Sequence, residues 1–261
     1  MTSQSAFIVA FCMPMALSLS NLTAEPIRLQ STEEQIGLLE LYSSEGCSSC
    51  PPSESWLSGL KTSPKLWRNW VPVAFHVDYW DSLGWKDPFG SKEFSARQRE
   101  YADHWRSQSV YTPGFVFNGG EWRGWFQHQA FPPTTSKRVG VLRGLSVDGS
   151  SWSFAFQPVG SAALGPYEFH AALLGFELTS EVKAGENRGR KLDHDFVVLK
   201  LEKAASRKEK DSFQANITLR VPDPPITTKP RGIASWVTLP NNPEPLQAVG
   251  GWIPSMAVQS R

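Results

Sequence analysis

"LLELYSSEGCSSCPPSE", residues 38–54, runs from an apolar segment through a glycine into two cysteines and two prolines. The apolar part is typical of a buried strand that ends before the glycine. Proline is tolerated in the first turn of an α-helix, where a missing N–H leaves no hydrogen bond unmade. The stretch therefore predicts a strand, a loop that carries Cys47 and Cys50, and a helix that begins beside the second cysteine.

A second strand, an amphipathic helix and a hairpin follow this motif. "VPVAFHVDYW", residues 71–80, indicates a largely buried strand. Ser91 is a suitable N-cap for a helix over "KEFSARQREYADHW", where large residues recur at three- and four-residue intervals. Asn118-Gly119 between two apolar runs is a strong hairpin signal, and it predicts strands over residues 115–117 and 121–126.

The character of the sequence changes beyond about residue 131. Short β-rich runs are separated there by Gly, Pro, Asn and Asp, which is typical of an antiparallel sheet or sandwich. We therefore predict one domain over residues 30–140 and a β-rich domain over residues 141–261. In the latter, "GENRGRKLDHD" indicates a charged hairpin tip, whose Arg188 and Arg190 are candidates for contact with an anionic partner or with the first domain.

The first residues, "MTSQSAFIVAFCMPMALSLSNLTAEP", contain an apolar stretch and a small residue, Ala24, at a position suited to cleavage. We expect a signal peptide over residues 1–24, a periplasmic or secreted protein and no stable membrane insertion. Cys12 would leave with the signal peptide, so Cys47 and Cys50 would be the thiols of the mature chain. In an oxidising compartment they can pair only with each other or with another molecule.

The spacing of Cys47 and Cys50 is compatible with three kinds of chemistry. In a redox pair, the N-terminal end of the helix favours the thiolate of Cys47, and Cys50 resolves the mixed disulfide. As a structural disulfide the pair closes a very short loop, which stabilises little. A copper or zinc site would need further ligands, for which His76 is the candidate.

Tyr111-Thr112-Pro113-Gly114 precedes the hairpin, where an X-Pro bond is suited to a cis peptide. Together with the C-x-x-C motif and the order of elements, this resembles a thioredoxin-like domain, in which the cis-proline faces the cysteine pair. "LYSSEGCSSCPPSE", "FHVDYWDSLGWKDPF", "ARQREY", "VYTPGFVFNG" and "GENRGR" resemble the domain of unknown function 1223 family, a group of mostly exported bacterial proteins. The resemblance implies a thioredoxin-like fold and export, although Leu41 stands where thioredoxins carry a buried acid.

His76, Asp78 and Trp80 alternate along the end of the second strand, and Glu45 precedes the cysteines. Together with Thr112, they are candidates for residues that tune Cys47 or contact a substrate. His76 is alternatively a metal ligand, with Asp78 or Asp81. In a third interpretation, His76 is a hydrogen-bonded core residue and the carboxylates cap turns.

The fold class that we predict is α/β: a thioredoxin-like domain with a cis-proline, followed by a β-rich, sandwich-like domain. The predicted function is thiol–disulfide exchange, with Cys47 as nucleophile, Cys50 as resolving thiol and Pro113 in the substrate groove. The expected partner is a protein or a small thiol or disulfide, and no cofactor is expected.

The balance of 26 Lys plus Arg against 25 Asp plus Glu argues against nucleic acid as a partner. Metal delivery through Cys47, Cys50 and His76, and a non-catalytic binding protein with a structural disulfide, are the alternatives.

Overall fold

The structure is a computed structural model that describes residues 25–128, 131, 135–160, 165–220 and 230–254. The predicted signal peptide, residues 1–24, lies outside the described residues. Within them the chain forms 15 strands and two α-helices. No helix in this part of the chain is long and apolar enough to cross a membrane.

The largest sheet has eight strands. In spatial order they are β15 (Gln247–Ile253), β14 (Arg231–Thr238), β8 (Glu168–Gly175), β11 (Val197–Ala205), β3 (Trp70–His76), β2 (Gly37–Ser43), β4 (Gly114–Phe117) and β5 (Gly120–Glu121). β3 is parallel to both of its neighbours, β2 and β11, and the other pairs are antiparallel. The sheet thus joins strands from both sides of residue 140.

β2 and β3 are buried along their whole length. Their near-continuous apolar runs are those expected of parallel strands that are covered on both faces. In their register Ser43 lies opposite His76, so both strands end at the same edge of the sheet. The loops that follow them therefore start side by side.

A second sheet has five strands. In spatial order they are β1 (Ile27–Gln30), β6 (Gly140–Ser146), β7 (Ser151–Pro158), β13 (Ser212–Thr218) and β12 (Arg207–Glu209). Side chains of β8 alternate between two cores, as the period of a strand requires. Ala171 and Leu173 pack with the apolar face of the second sheet, whereas Ala172 and Leu174 belong to the core around β2 and β3.

The remaining two strands, β9 (Leu178–Glu181) and β10 (Lys191–His194), form a hairpin of their own. This hairpin packs against helix α1 (Pro51–Ser58), and residues 182–190 form its tip. It places residues from the last third of the chain beside the two cysteines.

Both α-helices begin as the sequence predicts. Cys50 is the N-cap of α1, with the two prolines in the first turn. The second helix, α2 (Lys92–His104), is capped by Ser91, whose hydroxyl accepts a hydrogen bond from the Glu93 N–H at 3.2 Å. A one-turn 3-10 helix, Gly59–Thr62, extends α1.

The Asn-Gly hairpin is confirmed, but its second strand is shorter than predicted. Asn118 and Gly119 both have positive φ angles, 49° and 83°, as a two-residue hairpin turn requires. β5 contains only Gly120–Glu121, and the chain then forms a 3-10 helix over Gly124–Gln127. This short helix places aromatic side chains beside the cysteine loop.

The predicted fold class is wrong. The structure is mostly β-sheet, with 44% strand against 16% helix, in a multi-sheet, sandwich-like arrangement rather than an α/β thioredoxin-like domain joined to a separate β-rich domain. The reason is that β8, β11, β14 and β15 extend the sheet that contains β2 and β3. Local sequence patterns predict strands, but they do not show which distant strands pair. The boundary near residue 140 stays a prediction, although the large sheet crosses it.

Candidate functional site

The loop between β2 and α1 carries both cysteines, which are buried free thiols. The Cys47 N–H donates to the Ser44 carbonyl at 3.1 Å, and the Cys50 N–H donates to the Cys47 carbonyl at 3.2 Å. Gly46 is required by close approach, since a Cβ there would lie 2.8 Å from the Cβ of Trp80. The loop is therefore tightly turned and held against the segment that follows β3.

The surroundings of Cys47 favour its thiolate. Contacts with Cys50, Ser49 and Thr112 outweigh the effect of burial and lower the pKa of Cys47 to about 6. Its Sγ lies 3.2 Å from the Ser49 hydroxyl and 3.7 Å from the Thr112 carbonyl oxygen. At neutral pH the thiolate form of Cys47 predominates, and the thiolate is the nucleophilic form.

Cys50 has the opposite tendency. Burial, followed by the proximity of Cys47, raises the pKa of Cys50 well above its ordinary value. The side chain is fully buried at the start of α1. The pair therefore has one thiolate and one thiol, which is the asymmetry that sequential attack on a disulfide requires.

Thr112 and Pro113 lie across from Cys47, and the peptide bond between them is cis. The Trp80 indole N–H donates to the Thr112 hydroxyl at 2.8 Å, which ties the loop after β3 to this segment. An open cleft of about 460 Å³ adjoins the segment. Its lining consists of Ser49, Pro52, Tyr111, Thr112, Pro113, Arg123, Trp125 and Phe126. This cleft is the apolar approach to the cysteine loop.

Behind the cysteines, Ser43 connects Cys50 to a buried carboxylate. The Ser43 hydroxyl donates a short hydrogen bond to Glu54 Oε1, and it also contacts the Cys50 thiol. Glu54 follows Cys50 by one helical turn on α1, so both side chains lie on the same face. The thiol pair is thereby linked to a polar cluster in the interior.

That cluster contains two histidines and three carboxylates. His194 Nε2 lies 3.0 Å from Glu45 Oε1, and its Nδ1 makes a short hydrogen bond to Glu54 Oε2. His76 Nδ1 lies 2.8 Å from Asp87 Oδ2, and its Nε2 lies 3.9 Å from Glu54 Oε2. All five residues are buried. We refer to these residues as the buried histidine–carboxylate cluster.

The members of the cluster stabilise one another's charges. Burial opposes protonation of His194, but its hydrogen bonds with Glu45 and Glu54 raise the pKa to about 10. Burial likewise opposes protonation of His76, yet the charges of Asp87 and Glu54 raise its pKa. Burial would raise the pKa values of Glu54 and Asp87, but the charge of His76, their largest favourable contact, lowers both. The cluster is thus a set of paired buried ions.

The tip of the β9–β10 hairpin covers the cysteine loop. The buried amide of Asn187 donates to the carbonyl oxygens of Glu45 and Cys47, at 2.9 Å each. Glu186 accepts hydrogen bonds from the Ser48 N–H and hydroxyl, at 2.9 and 2.7 Å. The contacts to this loop come from Asn187 and Glu186, and Arg190 instead donates to the Asn187 side chain at 2.7 Å.

The predicted site residues divide into three places. Thr112 and Pro113 line the cleft, and Thr112 also contacts Cys47 and Trp80. Cys50 lies beside Cys47. Glu45 and His76 lie in the buried histidine–carboxylate cluster. Asp78 belongs to neither place, because its carboxylate accepts from the Ser95 hydroxyl at 2.5 Å and fixes α2 to the end of β3.

Metal binding through both cysteines and His76 has no geometric support. Within the described residues, one group of potential ligands has its ligand atoms close enough together for a single ion. It consists of Glu54, His76 and His194 and includes no cysteine. His76 turns its ring toward Asp87 and Glu54. Asp81, the other carboxylate considered with His76, accepts from the Asp87 N–H at 3.2 Å.

Sequence reasoning missed several residues of the site. Glu54 had a usable signal, because Cys50, Ser53, Glu54 and Leu57 have the spacing of one helical face. Asp87 and His194 had none, since each meets its partners only through tertiary structure. His194 is separated by 140 residues from Glu54.

Comparisons with known proteins give the fold and the family. Protein AGR_C_4864 from Agrobacterium tumefaciens has a similar structure, with a TM-score of 0.56 and 20% identity, over 87% of this chain and 98% of the other. HBP35 of Porphyromonas gingivalis is similar with a TM-score of 0.58 and 10% identity, over 88% of this chain and 79% of the other. At these identities the likeness concerns the fold alone.

No curated protein matches the chain. The model of a family described as "Protein of unknown function (DUF1223)" matches residues 38–238. This match spans most of the described residues and includes the cysteine loop, the Thr112-Pro113 segment and the β9–β10 hairpin. The chain therefore belongs to the DUF1223 family of proteins of unknown function.

Proposed function

We propose that the protein is a thiol–disulfide oxidoreductase that uses Cys47 and Cys50. The observation that carries the proposal is the asymmetry of the pair: the pKa of Cys47 is lowered to about 6, whereas that of Cys50 is raised. A static disulfide has no need of this difference. Thiol–disulfide exchange needs this difference in pKa, because one cysteine attacks first as a thiolate while the other stays protonated until the second step.

The reaction consists of two displacements. The Cys47 thiolate attacks one sulfur of a substrate disulfide, forms a mixed disulfide and releases the other substrate sulfur as a thiolate. Cys50 then loses its proton to solvent or to the released thiolate and attacks Cys47 Sγ, which releases the second substrate thiolate. The substrate gains two electrons, and the protein is left with a Cys47–Cys50 disulfide.

The cleft beside Thr112 and Pro113 supports an apolar or peptide disulfide as substrate. Trp125 and Phe126 supply aromatic surface, and Phe126 is 43% exposed. Arg123 gives this wall a positive charge that suits a carboxylate or a backbone carbonyl. The cleft reaches the cysteine loop at Ser49 and Thr112, both of which contact Cys47 Sγ. Action in the periplasm or outside the cell stays a prediction from the N-terminal sequence.

The test uses two serine variants that are each other's control. The reduced wild-type protein is expected to accelerate reduction of insulin by dithiothreitol, and both Cys47→Ser and Cys50→Ser should abolish the acceleration. With an oxidised peptide substrate, Cys50→Ser should accumulate a mixed disulfide through Cys47, whereas Cys47→Ser should accumulate none. An unchanged rate in Cys47→Ser would refute the proposal.

A further inference from the structure

The buried histidine–carboxylate cluster has a feature that the thiol chemistry does not use. The Nε2 atom of His76 is fully buried and has no hydrogen-bond partner. Glu54 Oε2 lies 3.9 Å from it, which is too far for a hydrogen bond. Buried polar atoms are nearly always paired, so an unpaired imidazole nitrogen that faces a carboxylate indicates a missing partner.

A third ligand atom points to the same space. One ligand atom each from Glu54, His76 and His194 lies within 4.8 Å of the other two. Ligands that bind zinc at about 2.0–2.1 Å in a tetrahedral arrangement lie about 3.4 Å apart. To bind one zinc ion, His76 Nε2 and Glu54 Oε2 must move slightly closer than their present 3.9 Å. The short Glu54–His194 contact must lengthen, and it does so when an ion replaces the proton between them.

The far nitrogens of both histidines are held by carboxylates. Asp87 accepts from His76 Nδ1 at 2.8 Å, and Glu45 lies 3.0 Å from His194 Nε2. The Glu45 N–H donates a hydrogen bond to the Asp87 carboxylate at 2.8 Å, and the Trp85 indole N–H donates to the Glu45 carboxylate at 2.6 Å. Metal-binding histidines almost always carry such a second carboxylate or carbonyl, which orients the ring and fixes the tautomer.

Charge and access also suit a cation. Three carboxylates and two imidazoles share the site, and a divalent ion bound by neutral imidazoles replaces the two positive charges of the protonated rings among these carboxylates. A cleft of about 410 Å³, distinct from the one beside Pro113, reaches Glu54 and His194. It gives an ion a path from solvent.

We propose that Glu54, His76 and His194 bind a divalent transition-metal ion of the zinc type, independently of the two cysteines. Two imidazole nitrogens and one carboxylate oxygen are a ligand set that zinc prefers, and three protein ligands leave one tetrahedral position for water or another ligand. The ion lies behind Ser43 and Cys50 and is bound whether or not the thiols exchange disulfides. The proposal therefore does not rest on the proposed function.

The first experiment separates this site from the thiols. Full-length protein and the Cys47→Ser/Cys50→Ser double variant are stripped of metal, titrated with zinc chloride by calorimetry and analysed for zinc after dialysis. We expect one equivalent of zinc in both proteins. No retained zinc in either, or zinc that is lost in the double variant, would overturn the proposal.

The second experiment assigns the ligands in the double-serine background. His76→Ala is expected to weaken zinc binding by more than about 100-fold, since loss of an outer carboxylate alone costs about 10- to 100-fold. His104→Ala is the matched control, because His104 is a half-exposed histidine paired with Glu244 on the surface. Equal zinc affinity in the two alanine variants would remove His76 from the site.

A further variant keeps the test decisive if His76→Ala does not fold. Asp87→Asn preserves size and is expected to weaken zinc binding by about 10- to 100-fold through the orientation of His76. Cobalt(II) bound to the cysteine-containing protein should show visible d–d absorption without a sulfur-to-metal charge-transfer band. Unchanged affinity in Asp87→Asn, or a charge-transfer band that disappears in the double-serine variant, would contradict the proposed ligand set.

Discussion

Asn187 holds the Cys47 carbonyl oxygen at 2.9 Å, although the two residues are 140 positions apart in the chain. The same amide group donates to the Glu45 carbonyl, so one buried side chain pairs two loop carbonyls. The tip of the β9–β10 hairpin therefore stabilises the conformation of the cysteine loop. The conformation of the loop depends on a residue from the last third of the protein.

We expect Asn187→Ala to destabilise the protein by about 1–3 kcal/mol, because it removes the donor to the buried Glu45 carbonyl and one of the two donors to the Cys47 carbonyl. Chemical denaturation followed by tryptophan fluorescence measures the change. Asn216→Ala is the control, since Asn216 is exposed on β13 and bonds only a surface serine, Ser153. Its effect should lie within about 0.5 kcal/mol of zero. Equal effects of the two variants would show that Asn187 does not hold the loop.

The reactivity of Cys47 should follow a titration with its midpoint near pH 6, which is the value to which its contacts lower the pKa. Because the lowered pKa extends the thiolate to lower pH, the alkylation rate should rise from about pH 5 and level off by about pH 7, whereas an ordinary thiol titrates near pH 8.5. Iodoacetamide labelling of the reduced wild-type protein, with the labelled residue identified by mass spectrometry, records the rate at Cys47, and the Cys50→Ser variant is labelled in parallel.

That variant lacks the contact with Cys50, which is the largest of those that lower the pKa of Cys47. Its midpoint should consequently lie above that of the wild-type protein, in which labelling at Cys47 is distinguished by its mass. A midpoint above about pH 8 in the wild-type protein would contradict the assignment of Cys47 as the cysteine that is a thiolate at neutral pH.

A third prediction concerns the buried ion pair between Glu40 on β2 and Arg97 on α2. Arg97 donates to both carboxylate oxygens of Glu40, at 2.8 Å each, and the phenol of Tyr101 donates to the same carboxylate at 2.5 Å. Arg97→Met leaves a buried carboxylate without its cation, and we expect a loss of about 3–5 kcal/mol in the free energy of unfolding.

The control for this prediction is Arg138→Met. Arg138 pairs with Glu33 at 2.7 Å on the surface, where solvent screens the pair, so the substitution should leave the unfolding midpoint in urea unchanged. Similar midpoints for the two methionine variants would show that the Glu40–Arg97 pair contributes no more than a surface pair.

Much of the local structure was predictable because it depends on residues within a few positions of one another. The strand before the cysteines, the start of α1 at Cys50, the Ser91 cap of α2 and the Asn118-Gly119 turn all follow from such relations. The family resemblance was predictable as well, since it rests on contiguous motifs, and the match over residues 38–238 confirms it. The thioredoxin resemblance implied that the Thr112-Pro113 segment faces Cys47, and Cys47 Sγ lies 3.7 Å from the Thr112 carbonyl oxygen.

The sheet and the polar cluster were not predictable from these patterns. β8, β11 and β14 have the apolar runs of ordinary strands, and nothing local shows that they extend the sheet of β2 and β3 through the pairing of Val197 with Ala74. His194 meets Glu54 and Glu45 only because the β9–β10 hairpin folds over α1. The sequence by itself indicated the cysteine pair, His76 and the Thr112-Pro113 segment, because these lie in contiguous motifs. Strand pairing and burial depend on contacts between distant residues, so only the tertiary structure brought His194 and Asp87 into the buried cluster with Glu54 and His76.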